Sequence, residues 1–120
     1  MINKVFLVGR LGLDPEVRYT QDAVMVVSLS VATTERWKDK EGKNLSRTEW
    51  HKVVAKGGIA ELAASDAGRG ALLYIEGRIR TRPWEDRDGS RRMTTEIVAT
   101  SLRILEGKKP AAGDGGGLPF

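Results

Sequence analysis

The stretch Gly57-Gly58-Ile59-Ala60-Glu61-Leu62-Ala63-Ala64-Ser65-Asp66-Ala67-Gly68 decides the reading, because helical spacing appears there between runs that read as strands. The paired glycines break the strand pattern before it. Ile59, Ala60, Leu62 and Ala63 then recur at helical intervals up to Gly68, a candidate for the left-handed C-terminal cap. One short helix of about two and a half turns is expected.

Working outward, Asn3 to Gly9 is rich in β-branched and apolar residues and ends at Gly9-Arg10-Leu11-Gly12, which predicts a first strand and its turn or bulge. A loop through Asp14-Pro15 follows. Val24 to Thr34 predicts a second strand, with Val27, Leu29 and Val31 on one face and Ser28 and Ser30 on the other. The polar segment Lys38 to Asn44 reads as an exposed hairpin loop, and Thr48 to Ala55 as the third strand. Beyond the helix, Leu72 to Trp84 and Met93 to Leu105 are the fourth and fifth strands, separated by Glu85-Asp86-Arg87-Asp88-Gly89-Ser90, whose Asp-Gly step favours a turn.

Three strands, a helix and two strands make an all-β chain with one short helix, in the order of the OB-fold, a five-stranded Greek-key barrel that binds oligonucleotides and oligosaccharides. A generic β-sandwich is the rival architecture. Residues 1–106 are expected to form this domain. From Gly107 the composition turns to glycine with few apolar side chains, so residues 107–120 are expected to be a short, flexible, disordered tail that ends in an apolar tip, Leu118-Pro119-Phe120.

A chain of 120 residues is one domain's worth of material, and 40% hydrophobic with 30% charged residues excludes global disorder and a membrane span. Lys and Arg number 20 against 16 for Asp and Glu, a formal net charge of +4 that leans towards polyanionic partners. Cysteine is absent, which removes disulfides, zinc knuckles and thiol catalysis together. No export signal is visible at Met1 to Gly9, so a cytoplasmic location is expected and the Asn44-Leu45-Ser46 sequon carries no chemistry.

The fourth strand holds the strongest local signal. Arg78, Arg80, Arg82 and Trp84 share one parity, and Ile75, Gly77 and Ile79 the other. On the third strand the same arithmetic groups Trp50, Lys52 and Lys56 against His51, Val53 and Ala55. Trp37 stands at the rim of the second strand beside Arg36, Lys38 and Lys40. Phosphates need cations and unstacked bases need flat apolar platforms, so these faces fit sequence-tolerant binding of a single nucleic acid strand. The bland alternative makes the tryptophans core residues and the arginines a solvated face paired with acids such as Glu85 and Asp86.

Enzyme chemistry finds no footing. His51 is the single histidine and has no nucleophile or carboxylate placed beside it by sequence. No metal-ligand spacing, phosphate-binding loop or nucleophile elbow appears, and the acids Glu85, Asp86 and Asp88 are explained by the turn they share. No cofactor or metal is expected.

At this point the residues match something specific. The chain resembles the bacterial single-stranded-DNA-binding proteins, the homotetrameric family with one OB-fold per subunit. The resemblance rests on Asn3-Lys4-Val5, Val8-Gly9, Leu11-Gly12, Asp14-Pro15-Glu16-Val17-Arg18-Tyr19, Thr48-Glu49-Trp50-His51, Tyr74-Ile75-Glu76-Gly77, Arg80-Thr81-Arg82 and Thr94-Thr95-Glu96, all in the family's order over residues 1 to 106. It implies that Trp37, Trp50 and Trp84 contact DNA and that Lys4, Arg18, Lys52, Arg80 and Arg82 follow the strand's path. It also implies a nucleoid-associated, non-enzymatic role in replication, recombination and repair. The family's further stacking phenylalanine aligns with Ala55 or Lys56, and the gapless match gives Lys56, a charge in place of a ring. His51 and Tyr74 align with subunit contacts of a homotetramer. Leu118-Pro119-Phe120 resembles the family's tip for docking replication, recombination and repair proteins. Only Asp114 stands where the family has an acidic run, which implies docking that is weakened or directed to a different partner set. A related primosome or RNA-binding OB component, and an adaptor acting mainly through the tip, are the alternatives.

Overall fold

Alternating apolar residues produce strands where the periodicity places them, and the strands close on themselves. The structure, a computed structural model, describes residues 1–107. In chain order the elements are β1 (Val5–Leu11), β2 (Glu16–Tyr19), β3 (Met25–Lys38), β4 (Asn44–Lys56), α1 (Gly58–Asp66), β5 (Leu72–Glu85) and β6 (Arg91–Glu106). The sheet order is β1-β5-β6-β4-β3-β2 with an additional β1–β3 pairing. Strands β1, β5, β6, β4 and β3 therefore form a closed five-stranded barrel, as the OB order requires and a sandwich of two separate sheets does not.

Closure depends on β1 changing partners along its length. Val5 to Arg10 pair with β5, while Arg10 and Leu11 also pair with Ala32 and Val31 of β3. Gly9 permits the crossing, since a Cβ there would lie 2.4 Å from the carbonyl oxygen of Ala32. The core inside the barrel is Leu11, Val27, Leu29, Val31, Val53, Leu73, Ile75 and Ile97, with Ala60 and Ala63 of α1 packed against it.

Two local expectations are corrected. The segment after Asp14-Pro15 is not only loop, because Glu16–Tyr19 hydrogen-bonds along Met25–Ser28 as β2. All four of its residues are exposed, so an edge strand held by backbone bonds leaves no buried alternation to read. Gly68 is not a left-handed helix cap either. The helix closes at Ala67, whose N–H donates to Ala63 O at 3.0 Å and whose φ of −105° is extended. The positive φ falls at Gly70, +88°, inside a turn closed by Ala71 N–H to Gly68 O at 3.0 Å. Leu11 exchanges backbone bonds with Gly70 and Ala71, which ties that turn to the end of β1 and places the left-handed residue there.

Two hairpins run past the core as arms. The β3–β4 register is unbroken from Val26↔Lys56 to Lys38↔Asn44, and β5–β6 from Gly77↔Ala99 to Glu85↔Arg91. No residue of 33–38, 44–52, 78–85 or 91–95 is buried. Both tips use one device. Asp39 Oδ1 accepts from the N–H groups of Glu41 and Lys43 at 2.9 and 2.8 Å, and Asp86 Oδ1 from those of Asp88 and Ser90 at 3.2 and 3.1 Å. The acidic cluster at 85–88 thus builds a turn. Among the described residues no helix is long and apolar enough to cross a membrane.

Candidate nucleic-acid interface

On β4, Val53 and Ala55 are buried whereas Trp50, Lys52 and Lys56 are exposed, as strand parity requires. On β5 the alternation survives because the irregularity near Glu76 places its extra residue on β6. Glu76 pairs with Ser101 and Gly77 with Ala99, which leaves Thr100 unpaired with its hydroxyl donating to Glu76 O at 3.2 Å. Arg78, Arg80, Arg82 and Trp84 accordingly keep one outward face.

The pairing of β4 with β6, Val53 with Ile97, sets Lys52 level with Glu96, and β5 brings Arg80 directly opposite Glu96. One carboxylate then gathers three cations. Glu96 Oε1 accepts from Arg80 Nη2 at 2.6 Å and from Arg82 Nε at 2.8 Å, while Lys52 Nζ lies 3.8 Å from Oε2. The Glu96 side chain has 0% exposure, whereas the three basic side chains keep 40 to 44%. Burial pushes the Glu96 carboxyl up, but the hydrogen bonds and charges of Arg82 and Arg80 outweigh it and hold the group below its ordinary value. The acids expected to neutralise the arginines, Glu85 and Asp86, do not reach Arg80 or Arg82; Asp86 pairs with Arg92 at 2.9 Å.

The tryptophans are not core residues. Trp37, Trp50 and Trp84 are 45, 56 and 43% exposed. The Trp84 ring is fixed by its N–H, which donates to Thr94 Oγ1 at 2.7 Å. The edge of the Trp50 indole meets Gly12, where a Cβ would stand 2.4 and 2.6 Å from Cζ3 and Cη2, so glycine leaves room for the ring's edge beside β1's end. Beside Trp50 opens a cleft of about 350 Å³ lined by residues that include Leu13, Glu16, Ser28, Ser30 and Lys52. Trp37 stands near the tip of its arm opposite Leu45, on the alternate side of the hairpin from Trp50.

The remaining basic residues are exposed at the margins. Arg18 and Lys56 both lie level with Val26 and so continue the row from Trp50 and Lys52 across β2 to β4. Lys4 precedes β1, with its ammonium 5.7 Å from the Phe6 ring centre, and Lys40 sits at the tip of the β3–β4 arm. Lys56 is outward while Ala55 faces the core, so only Lys56 stands where a stacking ring could be presented.

His51 on β4 and Tyr74 on β5 stand on strands that do not pair with each other. His51 turns from the Trp50 face and its Nε2 shares a hydrogen bond with Thr33 Oγ1 at 2.8 Å. Tyr74 stands outward on β5 opposite Val8, and Phe6 and Val8 beside it are 60 and 52% exposed. Asp114, Leu118, Pro119 and Phe120 lie outside the described residues.

Two residues that shape this candidate face escape the sequence reading, Glu96 and Gly12. Both belong to motifs that carried the resemblance, yet their parts depend on the pairing of strands far apart in sequence.

A closed barrel that presents the indoles of Trp50 and Trp84 and the cations between them on one continuous outer face, with Trp37 on the other side of the β3–β4 arm, defines a class, the proteins that hold unpaired nucleic acid strands. The comparisons with known proteins narrow that class. The chain belongs to the single-strand binding protein family, whose model matches residues 2–105. It is 48% identical to single-stranded DNA-binding protein 1 of Xylella fastidiosa over 109 residues, 90% of this chain and 79% of the relative. It is 42% identical to the single-stranded DNA-binding protein of Neisseria meningitidis over 119 residues, 99% of this chain and 67% of the relative. Among solved structures it is similar to the Plasmodium falciparum SSB in complex with ssDNA, at TM-score 0.80 and 28% identity over 88% of this chain and 97% of that one. It is also similar to a deletion mutant of the Thermus aquaticus single-stranded DNA binding protein, at TM-score 0.75 and 28% identity over 88% of this chain and 51% of that one.

Proposed function

We propose that the protein coats single-stranded DNA without regard to base sequence during replication, recombination and repair, and that it does so by binding, without turnover. The observation that carries the reading is the outer face running from Trp50 through Lys52, Arg80 and Arg82 to Trp84, apolar rings and cations held side by side. Bases stack on Trp37, Trp50 and Trp84, while Lys4, Arg18, Lys40, Lys52, Lys56, Arg78, Arg80 and Arg82 hold phosphates. Lys56 puts a charge where the family resemblance implies a ring, which shifts that point from stacking to salt-sensitive contact.

Assembly as a homotetramer in the bacterial cytoplasm, on the nucleoid, completes the reading. The exposed Phe6 and Val8 with the half-buried Tyr74 offer one apolar contact patch and His51 a second position. Several barrels on one strand act at high effective concentration, so modest contacts per subunit add to tight binding. Asp114 and the tip Leu118-Pro119-Phe120 dock partner proteins, weakly for want of acidic neighbours.

Three single-tryptophan variants, each keeping one indole and carrying phenylalanine at the other two positions, test the face. Titrated with oligo-dT, each is expected to show quenching. An indole that stays bright at saturation is not a stacking platform, and silence from all three overturns the proposal.

A further inference from the structure

We propose that Glu96 is a positioning residue for strand binding, its buried carboxylate holding Arg80, Arg82 and Lys52 in the arrangement that meets phosphate. This rests on the reading of those three cations as phosphate contacts. An acid on a surface for a polyanion is costly unless it serves one, and three features point to service. First, Glu96 is sealed under the cations, with 0% side-chain exposure, so DNA meets the cations before the carboxylate. The four groups together remain cationic, at +2 from three positive charges and one negative. Second, the neighbouring guanidinium groups of Arg80 and Arg82 share the single oxygen Oε1 at 2.6 and 2.8 Å. Two like charges converge there only because an anion lies between them, and without it they would repel and recover rotamer freedom.

Third, the grip is incomplete in a directional way. Glu96 Oε2 and Arg80 Nε are buried with no hydrogen-bond partner among the described residues. Lys52 is held to Oε2 by charge alone at 3.8 Å. The arginines are fixed and the lysine is loosely tethered, so Lys52 is the cation free to lean towards an arriving phosphate.

The test is Glu96→Gln in the full chain, with oligo-dT affinity read from tryptophan fluorescence across a series of salt concentrations. Simple charge counting says that removing a negative charge beneath the surface tightens binding and steepens the salt slope. Positioning says the opposite. Affinity should fall about tenfold, the size of effect that removing one charge-assisted hydrogen bond produces. The log–log salt slope should become shallower by about 0.7 for each phosphate no longer engaged, a readout that a merely structural role would leave alone. Glu49→Gln, which removes an exposed carboxylate 3.6 Å from Arg47, calibrates the charge effect and should tighten binding slightly.

Should Glu96→Gln fail to fold, judged by circular dichroism and thermal melting, Glu96→Asp carries the test. It keeps the charge and withdraws it by one methylene, so weaker binding with a shallower slope supports positioning and wild-type binding overturns it. Tighter binding by Glu96→Gln likewise overturns it. Arg80→Gln and Arg82→Gln separate the two layers of the inference. If they weaken binding while both Glu96 variants bind as wild type, only the positioning role falls. If they too bind as wild type, the phosphate reading of the face fails, and positioning with it.

Discussion

The two arms are built alike and furnished differently. Each is an unbroken antiparallel hairpin closed by an aspartate that caps its own turn, and each carries a tryptophan towards its end. On the β5–β6 arm the side chains are pinned. Arg80 and Arg82 rest on Glu96, the Trp84 N–H on Thr94, and Thr81 on Thr95. On the β3–β4 arm the cross-strand pairs Thr34–Thr48 and Thr33–His51 and the exposed pair Arg47–Glu49 are the counterparts, and Trp37 has no hydrogen-bond partner among the described residues. The difference teaches where order is spent before binding. A pinned platform loses little freedom when a base arrives, whereas a free one must be immobilised at that moment.

The largest contrast should appear in the tryptophans themselves. Trp84→Ala is expected to cost about 2 to 3 kcal/mol of oligo-dT affinity and Trp37→Ala about 1, both within the range for base stacking. Equal losses in titration calorimetry would show that pinning is irrelevant. Next comes Gly12→Ala, which forces the Trp50 ring off β1 and should cost about 1.5 kcal/mol of affinity with the fold intact. An unchanged Trp50 emission and affinity would mean that the ring's seat does not matter.

Thr94→Val is smaller and more pointed, because it converts Trp84 into an unpinned ring like Trp37. A loss of about 1 kcal/mol is expected, with Trp84→Ala then costing less in that background. The smallest effect is on stability. Folding holds the Glu96 carboxyl below its ordinary value of 4.5, so its contribution is complete above that pH and is lost as pH falls through the lowered value. The thermal midpoint of the wild type should therefore drop more steeply below about pH 4.5 than that of Glu96→Gln, and parallel curves would contradict the assignment.

Much of this was legible in the residues. The helix at 58–66 between two sets of strands, the parity of Arg78, Arg80, Arg82 and Trp84, and the outward set Trp50, Lys52 and Lys56 all follow from period and alternation, which are local properties. What stayed hidden depends on pairings across the barrel. β2 is an exposed edge with no buried side to alternate. Gly70 takes the left-handed turn expected of Gly68 because Leu11, distant in sequence, holds the loop. Glu96 follows an outward parity that reads as an exposed acid until β4 and β5 are laid on either side of it. The tail motif at 114–120 lies outside the described residues.

The most direct measurement is a fluorescence titration of the wild-type chain with oligo-dT and with duplex DNA of equal length, each at low and high salt. The account expects deep quenching by oligo-dT alone, weakened by salt yet persisting, because stacking survives when phosphate contacts are screened. Equal, shallow binding to both that vanishes at high salt would reduce the face to a polyanion patch and contradict it.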